Sequence, residues 1–252
     1  MNCKNCHELV EGKFCSNCGQ STAVDRITGF SLITLMSEGL FQVNRGLFFT
    51  IVALFRRPGD SVREFIEGKR KKYFKPVAYA MLLATLYVLL SRLTDTPTFV
   101  EDAVKGFMVG VDSDEEKTRY ALISPTIEWL ASNIAYSIII LIPFFSLATL
   151  IAFFKQGYNF FEHLVLNAYL AGHQALIYTL HLLVTVLVPS SWEWFEFIPF
   201  VLSLVIRLWT YIQFFKKKEW YYTVAFSLVA YLLFFIFIEI GLLVLMVLSK
   251  FL

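Results

Sequence analysis

Five stretches of this chain stay apolar long enough to cross about 30 Å of hydrocarbon, which takes roughly 17 to 25 helical residues. They are Val77–Leu93, Ile134–Phe154, His163–Val188, Phe197–Phe215 and Tyr221–Leu248. The first follows Pro76, a residue suited to the opening position of a helix, with Tyr73 and Phe74 just before it, where rings favour the membrane interface. The last is long enough to tilt.

Upstream, the pattern changes. Between 28 and 45, Phe30, Ile33, Leu35, Met36, Leu40, Phe41 and Val43 are interrupted by Ser31, Thr34, Ser37, Glu38 and Gln42. That alternation predicts a helix lying in the interface. Gly46–Phe55 is an apolar ten-mer, only about 15 Å long as a helix. Arg45 precedes it and Arg56–Arg57 follow, so both ends are expected on the same side, as in a shallow or re-entrant helix. Pro58–Gly59 breaks the chain, and Ser61-Val62-Arg63-Glu64 reads as a capping box opening a short helix that ends near Gly68. The expected architecture is an all-α integral membrane protein with about five transmembrane helices in 76–252. A cytoplasmic amphipathic or re-entrant region (21–75) and a small unit at 1–20 precede them.

Composition agrees. Of 252 residues, 57% are hydrophobic and 17% charged, against about 25% charged in soluble domains. A soluble fold would expose much of that apolar surface to water. The 26 Phe, 5 Trp and only 4 Cys exclude disorder, a collagen-like fibre and a secreted disulfide scaffold. Residues 1–20 are polar and rich in Cys and Gly, unlike a signal peptide. Of 22 Lys and Arg, 16 fall on the N-terminal side of the predicted membrane, four on the other, and Arg92 and Arg207 within spans. The positive-inside rule then puts the N-terminus in the cytoplasm and the C-terminus outside.

All four cysteines lie within 3–18, as Cys3-x2-Cys6 and Cys15-x2-Cys18-Gly19. Two such pairs joined by a short hairpin suit a tetrahedral zinc ribbon, closed by four thiolates and therefore structural. Some twenty residues cannot bury a core, so the metal would supply the folding free energy. Disulfides are disfavoured on the reducing side; rubredoxin-type iron uses similar ligands. His7 is read as an exposed side chain. Lys4 and Lys13 are balanced by Glu8 and Glu11, which argues against nucleic acid and leaves a protein partner as the expectation. Lys69, Arg70, Lys71, Lys72 and Lys75 sit just before the first span. They read either as a topology signal alone or as a site for anionic lipid head groups, worth about 1 kcal/mol per charge.

Polar side chains inside hydrocarbon are hints of function. His163, Asn167, Gln174, Tyr178 and His181 fall within about 60° of one another on the third span, with His173 to the side and Glu162 at the cytoplasmic end, after Asn159 as a candidate N-cap. Such a stripe can line a water-filled path, or join helices by hydrogen bonds. The histidine spacing does not favour a metal. Arg207 and Glu239, in the fourth and fifth spans, lean toward each other, although their depths differ by on the order of 10 Å. If they do not meet, Arg207 is an anion-binding candidate. Phosphate-binding, dinucleotide-binding, metalloprotease and esterase signatures are lacking.

Several of these residues carry a resemblance: Phe14-Cys15-x2-Cys18-Gly19-Gln20, Arg26-Ile27-Thr28, Thr50 ahead of Arg57-Pro58-Gly59, Gly68-Lys69-Arg70 with Tyr73 and Pro76, and Glu162-His163-Leu164-Val165. Together they resemble a bacterial membrane-protein family catalogued as a domain of unknown function (number 3667). The resemblance implies a cytoplasmic zinc ribbon followed by a multi-helix domain in the inner membrane, and no activity. The expected function is a non-enzymatic anchor or regulator whose zinc ribbon docks a protein partner. The alternative is a small transporter or channel, alone or as a homo-oligomer, using the polar stripe and Arg207. A weaker one is a lipid-acting enzyme using Glu162 and His163.

Overall fold

The computed structural model describes residues 1–29, 31–32, 46–98, 101, 129–130, 133–187, 193–216 and 219–249. The interfacial helix expected within 28–45 lies mostly outside them. Seven α-helices are named here: α1 Gly46–Arg56, α2 Pro58–Glu67, α3 Pro76–Leu93, α4 Ile134–Ala152, α5 Phe160–Leu187, α6 Ile198–Phe214 and α7 Trp220–Ser249. Single 3-10 turns, Phe154–Gln156 and Glu193–Phe197, lead into α5 and α6. Among the described residues there is no strand, only two isolated antiparallel bridges near the N-terminus, Asn2–Leu9 and Phe14–Ser21.

The protein is helical and built for a membrane. Pro76–Leu93, Phe160–Leu187, Trp194–Phe214 and Trp220–Val244 are long and apolar enough to cross a bilayer. The remaining predicted span is the 19-residue α4, which contains Pro143. At 1.5 Å per residue it is about 28 Å long, and Tyr136–Ala152 within it is a shorter apolar helix. Helix α7 exposes Leu228, Leu232, Phe235, Ile236 and Val244, as a lipid-facing helix should.

Helix α3 packs along α5, α4 against α5 and α7, and α6 against α5, α7 and α2. The α3–α5 crossing is close because Gly172 has no side chain. A Cβ there would stand 2.6 Å from the Tyr79 ring and 2.9 Å from the Ala80 Cα. The core is aromatic, with Phe65, Tyr79, Phe153, Tyr169, Tyr211, Phe214 and Phe215 fully buried. Phe153 and Phe215 stack at 4.0 Å between centroids.

The short helix after Arg57 begins earlier than the capping-box reading placed it. Pro58 occupies its first turn and Arg57 its cap. Ser61 is therefore inside the helix, donating to the Ala53 carbonyl at 3.3 Å. Its end at Gly68, in the left-handed conformation at φ 117°, is where the sequence places it. Gly59 lets α2 touch α6, since a Cβ there would fall 2.5 Å from the Phe214 nitrogen and the Thr210 carbonyl oxygen. Arg63 then donates to the Gln213 carbonyl and, at 2.6 Å, to that of Phe214. These bonds satisfy the open carbonyls at the end of α6.

Candidate metal centre and the strap that carries it

Each Cys-x2-Cys pair forms a tight knuckle. His7 N–H donates to the Cys3 carbonyl at 2.9 Å, and Gly19 N–H to that of Cys15 at 2.8 Å. The residue after each second cysteine is left-handed, His7 at φ 65° and Gly19 at φ 70°. Sequence pattern marks the glycine but not its histidine counterpart, whose side chain is exposed as expected. The four sulfurs lie within 4.8 Å of one another, with Cys3–Cys18 at 3.6 Å and Cys6–Cys15 at 3.5 Å. A tetrahedral ion with Zn–S bonds of about 2.3 Å spaces its sulfurs about 3.8 Å apart, so the set fits a metal. The pairs are far from the roughly 2.05 Å of a disulfide. The Cys6 amide is the main cause drawing the Cys3 thiol down to about 7. Cys6, lowered by the Glu8 amide but raised by burial and by neighbouring thiols, ends at about 12. Four thiols this close shed their protons together only with a cation among them.

The second knuckle is fastened by Gln20, which is buried, to the strap that connects α2 to α3, residues 68–75. Its amide donates to the Gly68 carbonyl at 2.9 Å, and its oxygen accepts from Arg70 N–H at 3.0 Å and Lys71 N–H at 3.1 Å. Lys4 donates to the Val24 carbonyl at 2.6 Å, and Arg70 to that of Asp25 at 2.7 Å. Gly68 is required twice over, for its left-handed turn and because a Cβ would meet Lys4 at 2.8 Å and Val24 at 2.9 Å. Sequence reading gave Gln20 no role, although it directly follows the second knuckle.

On the other side of this strap Glu64 gathers charge. It accepts from Lys72 at 2.6 Å, Tyr73 at 2.7 Å, and Lys69 and Arg57 at 3.2 Å each. Burial pushes its carboxyl up, but Lys72, Tyr73 and Lys69 outweigh that and hold it down at about 2. Burial, with this carboxylate beside it, raises the Tyr73 phenol. Of the basic run, Lys69 and Lys72 thus face Glu64, Arg70 faces Asp25, Lys71 lies beside Gly19, and Lys75 is the N-cap of α3. Phe74 fixes the strap's end, its N–H donating to Thr50 at 2.7 Å and its carbonyl accepting from Tyr169 at 2.6 Å.

A second fastening joins the segment after the ribbon to α5. Arg26 forms a two-pronged pair with Glu162 at 2.9 and 2.8 Å, and also donates to the Gly157 carbonyl at 2.6 Å. Glu162 N–H donates to Asn159 Oδ1 at 2.9 Å while Asn159 N–H donates to Glu162 at 2.7 Å. That reciprocal pair is a capping box, with Asn159 as the N-cap. Two sequence motifs 136 residues apart, Arg26-Ile27-Thr28 and Glu162-His163, therefore meet.

The polar positions of α5 do not converge on one point. His163 contacts Thr149 of α4 at 3.1 Å. Asn167 donates to Thr149 at 3.0 Å and accepts from Tyr211 of α6 at 3.1 Å. His173 turns to Tyr79 of α3 at 3.2 Å and packs edge-on to Phe55 of α1. Gln174 accepts from Arg207 at 3.0 Å, Tyr178 packs on Tyr87, and His181 meets Glu196 at 3.2 Å. The expected approach of Arg207 to Glu239 does not occur. Arg207 lies over the Phe145 ring at 4.8 Å, and Glu239 is exposed on α7. The lean of the two side chains suited a pair, but the rotation of α7 turns the carboxylate outward.

No curated protein and no solved structure matches the chain. A family model does, over α1, α2, the strap and most of α3, the elements that meet at Glu64 and Phe74: residues 44–88 match the model of a family described as "Protein of unknown function (DUF3667)".

Proposed function

We propose that this chain is a non-enzymatic docking module of the bacterial inner membrane. Its N-terminus is cytoplasmic, its C-terminus periplasmic, and its ribbon holds one structural Zn²⁺ through Cys3, Cys6, Cys15 and Cys18. One observation carries the reading: a four-sulfur cluster is fastened through Gln20 to the strap that opens the first membrane span. Four protein sulfurs leave a tetrahedral ion no position for a substrate, which supports a structural role. Zinc over iron rests on its prevalence in ribbons of this kind. The cytoplasmic side rests on the 16 to 4 division of Lys and Arg about the membrane.

While Gln20 and Lys4 face the strap, Leu9 is 75% and Phe14 66% exposed. They are the contacts a protein partner would use, and the membrane domain holds them at a fixed height above the lipid. His163 Nδ1, Asn167 and the Gln174 oxygen bond to Thr149, Tyr211 and Arg207 on neighbouring helices. That favours helix–helix joining over a water-filled path. The test is site-specific photo-crosslinking in cells from positions 9 and 14, with metal analysis of the purified chain. One zinc per chain and one discrete adduct, lost in Leu9→Asp/Phe14→Asp with membrane insertion unchanged, is the expected result. No adduct from either position, or a chain purified without a tetrathiolate metal, overturns the reading.

A further inference from the structure

Between α5 and α6, at the middle of both helices, a small, partly open cavity of about 10 Å³ is lined by Leu170, His173, Gln174, Ile177, Ser203, Ile206 and Arg207. Its polar wall is one-sided. Arg207 is a permanent cation. Its face is taken by the Phe145 ring at 4.8 Å, and one in-plane N–H by Gln174 Oε1 at 3.0 Å. Because Gln174 accepts there through its oxygen, its amide N–H₂ remains a donor. Tyr79 is fully buried, and its hydroxyl lies 3.2 Å from His173 Nδ1. We assign Tyr79 as the donor to that nitrogen, the tautomer that places the imidazole proton on Nε2. That Nε2 is buried and has no partner, as is the Ser203 hydroxyl. His173 and Ser203 are 2% and 7% exposed. Ser146, Thr179 and Thr210 return their hydroxyls to a carbonyl one turn back; Ser203 does not.

A guanidinium, an imidazole N–H, an amide and a free hydroxyl around one small space all offer hydrogens. Among the described residues no carboxylate lies within ion-pair distance of Arg207, and Glu239 faces outward. A partly buried cation in an apolar bundle with no carboxylate beside it favours an anion, and the unpartnered buried polar atoms of His173 and Ser203 call for an occupant. We propose that this cavity binds one small monovalent anion, a halide by size, as the internal counter-ion of Arg207. A cavity near 10 Å³ accepts one water-sized occupant, which excludes phosphate, sulfate and carboxylic acids. The occupant ties α5 to α6, independently of what the ribbon docks.

The test uses the full-length protein in lipid nanodiscs, melted in sodium chloride, sodium bromide or sodium gluconate at equal ionic strength. Chloride and bromide are expected to raise the melting temperature saturably over gluconate. Arg207→Gln should abolish that dependence. Ser203→Val removes one donor and intrudes into the cavity while leaving every charge in place, and should also abolish it. Equal melting of the parent protein in all three salts overturns the proposal, leaving water as the occupant. Halide dependence that survives in Ser203→Val also overturns it, because the effect would then come from surface charges. If Arg207→Gln does not fold, the parent and Ser203→Val arms still decide.

Discussion

Replacing Glu64 by Gln should loosen the strap by an amount the structure sets. The carboxylate sits at about 2 instead of its ordinary 4.5 because Lys72, Tyr73 and Lys69 prefer it charged. A difference of roughly 2.5 pH units is worth about 3 kcal/mol at neutral pH. Glu64 is only 17% exposed, but Lys69 and Lys72 are each 29% exposed. Solvent screening therefore trims the expected loss in Glu64→Gln to about 2 kcal/mol. A carboxyl whose pKa falls on folding contributes stability above its unfolded value, and that contribution fades as pH drops toward the folded value. Parent and variant should thus differ fully at pH 6 to 7, and converge as pH falls from about 4.5 toward 2. Urea denaturation in detergent micelles, followed by tryptophan emission across this range, measures the gap. Acid release of metal affects both proteins alike and cancels in the difference. Equal stability at pH 7, or a gap unchanged between pH 7 and 3, would refute the reasoning.

Gly172→Val should drive a side chain into Tyr79 and Ala80, costing more than about 2 kcal/mol and broadening the size-exclusion peak; a variant as stable and monodisperse as the parent would remove the close crossing. Arg26→Ala leaves Glu162 buried with only its capping bonds, a loss of about 1 to 3 kcal/mol. In a double-mutant cycle, Glu162→Gln should then add little to Arg26→Ala; fully additive losses would mean that the two do not act as a pair. Gln20→Ala should detach the ribbon with its metal retained, seen as faster amide exchange at Arg70 and Lys71 without loss of zinc.

What the sequence revealed and what it hid divide by distance along the chain. The thiol cluster was legible because its four cysteines fall within sixteen residues at knuckle spacing. The long helices were legible because length and apolarity are local properties. The start of α2 was misread because two local signals compete there, and Pro58 prevails over Ser61. Neither partner of the Arg26–Glu162 pair announces the other, since which surfaces face is set by packing 136 residues apart. The same holds for Gln20 on the strap and for Tyr79 beneath His173. Arg207 and Glu239 were paired on the opposite lean of their side chains, and rotation about a helix axis is what hydropathy leaves unspecified. A basic run before a span reads as a topology signal or as charge for lipid, yet Glu64, five residues upstream of Lys69, accepts from two of its members.

The central claim is that a metal-closed ribbon is locked to the strap opening the first membrane span. Hydrogen–deuterium exchange of the full chain in nanodiscs, with and without zinc chelation, tests it most directly. Chelation should speed exchange in residues 1–20 and, in step with them, at Arg70 and Lys71, whose amides donate to Gln20. A ribbon that loses protection while the strap keeps its own would contradict the account.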